Sequence, residues 1–191
     1  RVTLAGDTRF DRVSEIVAAA SEIQEIREWA QNAQVLIGGS TWPADEKVLH
    51  AWWQMSTNEW KLLLVPHEIE AGHIQSMQRL WPEATLWSQR GAVEWKSSRV
   101  VIVDEIGKLS AMYRYANIAW IGGGFGAGIH NTLEAAAWSL PVFFGPRFEK
   151  FAEARGLIDA GAAMGAHDEE EAVRLLSRFA SDSTEIPTMG M

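Results

Sequence analysis

Residues 118–137 constrain this chain more than any other stretch, reading Ile-Ala-Trp-Ile-Gly-Gly-Gly-Phe-Gly-Ala-Gly-Ile-His-Asn-Thr-Leu-Glu-Ala-Ala-Ala. The apolar start has the length of a buried strand, the glycines form a loop, and the alanine-rich part from Asn131 predicts a helix to about Ser139. Glycine is used where the backbone needs positive φ or a close approach that a Cβ would block. Where such a loop opens a helix, unpaired N–H groups and the positive dipole end face whatever lies above the strand, which favours an anion. A tight strand-to-helix turn without a ligand is the other reading of the glycines alone.

Strand-like and helix-like segments alternate around this stretch, the pattern of a parallel sheet covered by helices on both faces. Strands are predicted at residues 34–37, 61–65, 85–87, 99–103, 118–121 and 141–144, with a short further strand at 161–164. Helices are predicted from Pro43 to about Ser56, after Glu68 to about Trp81, through Leu109 to Tyr113, near 148–157 and from about Asp168 to Phe179. Upstream, Val13, Ile16, Val17, Ala20, Ile23, Ile26 and Trp29 recur at helical spacing, and Asp7 or Thr8 is a candidate N-cap. The expected fold class is α/β, a Rossmann-like doubly wound parallel sheet. In such a sheet, ligands bind beyond the carboxyl ends of the strands where strand order reverses. With the order 3-2-1-4-5-6, residues 38–41 and 104–108 face each other across that crevice, beside the glycine loop.

Composition narrows the function. With 191 residues, 47% apolar and 22% charged, the chain has the make-up of one globular domain. A net charge of −8 without a basic run argues against nucleic acid as a partner. The absence of cysteine removes disulfides, thiolate metal sites and a cysteine nucleophile, and it fits a reducing compartment. The longest apolar runs, such as 100–103, fall far below the ~20 residues of a spanning helix. The start at Arg1, with no signal peptide, reads as a piece of a longer protein. Three nucleotide or hydrolase signatures are missing: Gly-x-Gly-x-x-Gly after the first strand, the Gly-Lys-Ser/Thr end of a P-loop, and Gly-x-Ser-x-Gly.

The candidate site residues collect at the carboxyl ends of the strands. Gly39, Ser40 and Thr41 follow the first strand, where two glycines suit close approach and the hydroxyls also suit a helix N-cap before Pro43, Asp45 and Glu46. His67 follows Pro66, where an imidazole can donate to a phosphate or remain solvated. Glu70 and His73 have a metal-pair spacing but no third ligand nearby, so His73 reads as surface. At the helix start His130 can supply a charge-assisted bond, with Asn131, Thr132 and the backbone N–H groups holding an anion; Asn131 as a simple N-cap is the alternative. Glu134, one turn on, suits the paired hydroxyls of a ribose, and equally suits a helix N-terminus. Trp52, Trp53 and Trp60 read as packing residues, and Trp42 stands beside the first loop.

These loops resemble a known family. Residues 38–43 (Gly-Gly-Ser-Thr-Trp-Pro), 66–68 (Pro-His-Glu), 104–109 (Asp-Glu-Ile-Gly-Lys-Leu) and 122–136, followed by Pro141 and Gly145-Pro146, are similar to the carboxyl-terminal half of a bacterial 3-deoxy-D-manno-octulosonic acid (Kdo) transferase. The similarity begins at residues 5–11. It implies one half of a GT-B glycosyltransferase, an enzyme of two Rossmann-like domains that transfers Kdo from CMP-Kdo to a lipid A precursor at the cytoplasmic face of the inner membrane, with no metal and no cofactor. The resemblance implies donor binding by Gly39, Ser40, Thr41, His67, Gly107, Gly123, Gly124, His130, Asn131 and Glu134. It places the acceptor site, the membrane contact and the catalytic acidic residue in an amino-terminal domain that is not in this sequence. Two positions depart from the family pattern: no arginine stands beside His67, and Lys108 stands where many members carry an acid.

On this reading residues 1–34 are an interdomain linker and helix, 35–181 the donor-binding domain, and 182–191 a frayed tail. The alternatives are a UDP-sugar-dependent GT-B transferase or epimerase domain, and a non-catalytic interaction domain that keeps the sheet without a ligand.

Overall fold

The computed structural model describes residues 15, 17, 20–57, 59–92 and 95–181. The linker and cap expected at residues 2–8, the periodic positions Val13 and Ile16, and the tail 182–191 lie outside the described residues. Among the described residues seven strands form one all-parallel sheet: β1 (Gln34–Thr41), β2 (Trp60–Pro66), β3 (Thr85–Leu86), β4 (Val100–Ile102), β5 (Ile118–Ile121), β6 (Val142–Phe144) and β7 (Ala163–Gly165). The helices are α1 (Gln24–Ala30), α2 (Pro43–Met55), α3 (Ala71–Leu80), α4 (Leu109–Met112), α5 (Leu133–Ala137), α6 (Ala152–Asp159) and α7 (Glu169–Ser181). Among the described residues no helix is long and apolar enough to cross a membrane.

The lateral order is β3-β4-β2-β1-β5-β6-β7, which corrects the expected 3-2-1-4-5-6. β4 lies between β3 and β2, and β5 takes the place beside β1. Local hydrogen bonds account for both placements. Asn117, just before β5, is bound to Val35 in both directions: the Val35 N–H donates to Asn117 Oδ1 at 2.8 Å and the Asn117 N–H to the Val35 carbonyl at 2.8 Å. Arg99, just before β4, is keyed to β2: its carbonyl accepts from the Leu62 N–H at 2.8 Å, and its guanidinium donates to the carbonyls of Thr57 and Trp60. Strand order therefore reverses between β1 and β5.

Both faces of the sheet are dry, as a parallel sheet requires. Alternation along β1 sends Val35 and Ile37 to one face and Leu36 to the other, and along β5 it separates Ala119 and Ile121 from Ile118 and Trp120. The first face packs under α1, α4, α5 and α6, with Ile26, Trp29, Met112, Tyr113, Ala135 and Ala154 buried there. The second packs under α2, α3 and α7, where Trp52, Trp53 and Trp60 are core residues and Trp52 meets Trp60 edge to face at 5.5 Å. Complete burial of each such side chain is worth roughly 1.5–3 kcal/mol.

Candidate functional site

The order β2-β1-β5 brings three loops together at the carboxyl edge: residues 40–42, His67, and 122–134. β1 ends in a bulge, since Gly39 pairs with Val65 and Thr41 with Pro66, leaving Ser40 unpaired between them. Ser40 sits at φ 51°, a left-handed conformation that strains a residue with a Cβ. Gly39 is required by close approach, because a Cβ there would strike the Tyr113 hydroxyl. Burial pushes the Tyr113 phenol up, and the nearby Glu134 charge adds to this.

The expected N-cap at Ser40 or Thr41 is corrected. Thr41 belongs to β1, and α2 is capped at Trp42, whose N–H donates to Asp45 Oδ2 at 3.0 Å. Thr41 is fully buried and its hydroxyl donates to Glu46 Oε1 at 3.2 Å. His73 is not a free surface residue either. Its Nε2 lies 2.8 Å from Glu46 Oε1 and its Nδ1 2.9 Å from the Glu68 carbonyl, tying the loop after β2 to the start of α2. Among the described residues no group of three or more His, Cys, Asp or Glu could hold a metal ion.

The glycine loop is held by the protein itself at several points. The Gly122 N–H donates to the Gly39 carbonyl, those of Gly126 and Gly128 to the Gly123 carbonyl, and that of His130 to the Gly122 carbonyl. Gly123 has φ 93° and gives its N–H to Asp45 Oδ2 at 2.9 Å, so that amide is not offered to a ligand. Gly124 packs against the backbone of Gly145. Asp45 is the residue that sequence reasoning missed: it reads as a helix-start acid, yet it is buried and binds Trp42, Gly123 and, through Oδ1, Trp120 Nε1 at 3.2 Å. Burial pushes its carboxyl above the usual range, against the lowering effect of those three donors. Burial raises Glu46 as well, opposed by His73.

The helix expected from Asn131 to about Ser139 is shorter, covering Leu133–Ala137. Asn131 closes a side-chain turn, accepting from the Leu133 N–H at 3.0 Å while its amide donates to Glu134 Oε1 at 2.9 Å. Thr132 is fully buried, with its hydroxyl unpartnered, so neither its side chain nor its backbone is presented to a ligand, which corrects its expected part in holding an anion. The backbone N–H groups of Asn131 and Thr132 donate to no described group. His130 belongs to an aromatic stack. His67 covers His130 at 4.2 Å and Trp42 at 4.8 Å between ring centroids, and Trp42 Nε1 donates to His130 Nε2 at 2.9 Å. Burial, aided by His67, holds the His130 imidazole below its ordinary value.

Gly107 lies on a fourth loop. It sits at φ 79° in the loop after β4, and that loop binds the one after β3: Asp104 accepts from the Ser88 N–H and hydroxyl at 2.8 and 2.6 Å, and Glu105 from Trp87 and Arg90. β2 stands between β4 and β1, which differs from the expected order, and the loop after β4 leads into α4, whose Leu109 lies beside Gly39.

The parallel sheet, with a glycine loop at the point where its order reverses, is a Rossmann-like domain of the GT-B glycosyltransferase type, and its fold matches the C-terminal CMP-Kdo binding domain of WaaA from Acinetobacter baumannii (TM-score 0.70, 23% identity, 94% of this chain and 96% of that one). A trehalose 6-phosphate synthase from Burkholderia multivorans shares the fold at a TM-score of 0.62 and 11% identity, over 95% of this chain and 42% of that one. In sequence the chain is a relative of the 3-deoxy-D-manno-octulosonic acid transferases. It is 30% identical to the one from Rickettsia bellii over 165 residues, covering 81% of this chain and 38% of that protein, so it spans well under half of its relative's length. No family model matches the chain.

Proposed function

We propose that this chain is the donor-binding half of a glycosyltransferase that moves Kdo from CMP-Kdo to a lipid A precursor in lipopolysaccharide synthesis. The nucleotide sugar lies over the β1–β5 switch point. Its anionic part meets His130 and the N–H of Asn131, beside the strained Ser40, while Glu134 takes ribose hydroxyls. His67, Gly39, Thr41, Gly123 and Gly124 shape this pocket. Gly107, two strands away from β1, serves a more distant part of the donor. One observation supports the reading above the rest: the open amide of Asn131 sits on the same loop as a half-buried imidazole, at the edge where strand order reverses.

In the intact enzyme an acceptor hydroxyl attacks the anomeric carbon of Kdo, CMP leaves, and a base from a preceding domain takes the hydroxyl proton. That domain also carries the acceptor and the contact with the cytoplasmic face of the inner membrane. The test is calorimetry and nitrogen-15 NMR of this chain with CMP, with UDP as competitor. Expected are millimolar or tighter CMP binding, shifts concentrated in residues 123–134, and weak displacement by UDP. Silence at millimolar CMP overturns the reading, and tighter UDP binding replaces it with a UDP-sugar enzyme.

A further inference from the structure

Trp42 and His130 are 88 residues apart and meet edge to edge. The indole Nε1 lies 2.9 Å from His130 Nε2, and the two rings are only 15° from parallel with centroids 6.4 Å apart. Trp42 has little freedom at that point. Its backbone N–H is taken by Asp45 Oδ2, Pro43 follows it, and its ring is covered by His67. An indole nitrogen can only donate, so His130 Nε2 must accept and carries no proton. A neutral imidazole has one N–H, which here is left on Nδ1.

The surroundings favour that neutral form. An imidazolium would set its Nε2–H against the indole N–H, and His67 stacks on the same ring at 4.2 Å. His67 is the other titratable ring in contact with it, and burial and His67 both lower the His130 pKa. The imidazole is held on the glycine side as well, where its Cδ2 edge is turned to Gly123. His130 Nδ1 hydrogen-bonds no described group. The next residue along the chain, Asn131, is exposed and its backbone N–H donates to no described group.

We propose that Trp42 is a positioning residue which fixes His130 as the Nδ1–H tautomer, so that this nitrogen and the Asn131 amide act together as neutral donors for a phosphate. This rests on the donor-site reading above. An uncharged set recognises the phosphate by hydrogen-bond geometry rather than by charge.

Long-range proton–nitrogen NMR of the 191-residue chain tests it, with Trp42→Phe as the variant, which keeps a ring under His67 and removes the N–H. In the wild type His130 is expected as the Nδ1–H tautomer. In W42F it shifts toward Nε2–H, its titration midpoint rises, and CMP affinity falls about tenfold, or ~1.4 kcal/mol. A wild-type His130 protonated on Nε2 overturns the inference without any variant. So does a W42F protein with unchanged tautomer and midpoint, or with the tautomer changed and CMP affinity intact. If wild-type CMP binding is absent while the tautomer behaves as stated, the donor-site reading fails and the Trp42–His130 geometry stands.

Discussion

Asp45 and Gly123 stand 78 positions apart in the chain and are joined by a buried hydrogen bond of 2.9 Å from the glycine N–H to the carboxylate. Through it the first turn of α2 holds the entry of the glycine loop, and the same carboxylate reaches Trp42 and Trp120. Asp45→Ala leaves three donors without a partner, two of them buried and the Trp42 N–H part-buried, each loss being worth roughly 1–3 kcal/mol and not additive. The expected destabilisation is about 3 kcal/mol, a fall in Tm on the order of 6–12 °C. Thermal melting checks this, together with the Gly123 amide shift. A change below ~1 kcal/mol would mean that the loop is held by other contacts.

The raised pKa values of Asp45 and Glu46 carry a sign for stability. Each acid titrates higher in the folded chain than in the unfolded one, so the native state binds more protons in the interval between the two values. Stability is then greater below that interval and falls as pH rises through the folded value. Asp45→Asn removes one of these groups while keeping most of the hydrogen bonds. The difference in urea midpoint between wild type and D45N should therefore move in favour of the variant as pH increases from 4 to 7, and a constant difference would contradict the assignment.

Ser40 adopts φ 51° at the bulge of β1. A left-handed conformation costs a residue with a Cβ about 1–2 kcal/mol, and glycine adopts it freely. Ser40→Gly should therefore stabilise the chain by up to ~1 kcal/mol after the entropy of an added glycine, raising Tm by roughly 2–4 °C, while weakening CMP binding through loss of the hydroxyl. Ser40→Ala keeps the strain and loses the hydroxyl, so only its CMP affinity should fall. Calorimetric melting of both variants separates strain from function. A destabilised S40G would show that the bulge is not strained.

Asn131 and Glu134 bond to each other at 2.9 Å at the rim of the site. Asn131→Ala also frees the Leu133 N–H, a local change worth about 1 kcal/mol or less at an exposed position. Glu134→Ala is expected to be milder still in stability. Both should lower CMP affinity several-fold. Affinity unchanged in both variants, measured by calorimetry, would favour an interaction domain over a ligand site.

Much of this architecture is legible in the residues. The strand at 118–121, its glycines and the alternation of apolar runs with amphipathic segments predict a parallel α/β sheet, because period-two and period-3.6 burial need only local sequence. Candidates at 39–41, 67 and 123–134 fall at the carboxyl edge for the same reason, since every parallel strand delivers its following loop to that edge. The roles of His73 and Asp45 are not legible there. Within its own segment His73 has the pattern of a surface residue and Asp45 that of an ordinary acid in a first helical turn, whereas their partners Glu46, Gly123 and Trp120 come from other parts of the chain.

The residues alone settled which segments are strands and helices and which loops carry glycine and polar groups, because those choices follow from local burial pattern and backbone freedom. Tertiary structure alone decided that β5 lies beside β1 and that Trp42 meets His130. Each of these is a contact between segments distant in the chain, fixed by the hydrogen bonds of Asn117 and Arg99 and by close packing, and no local pattern encodes it.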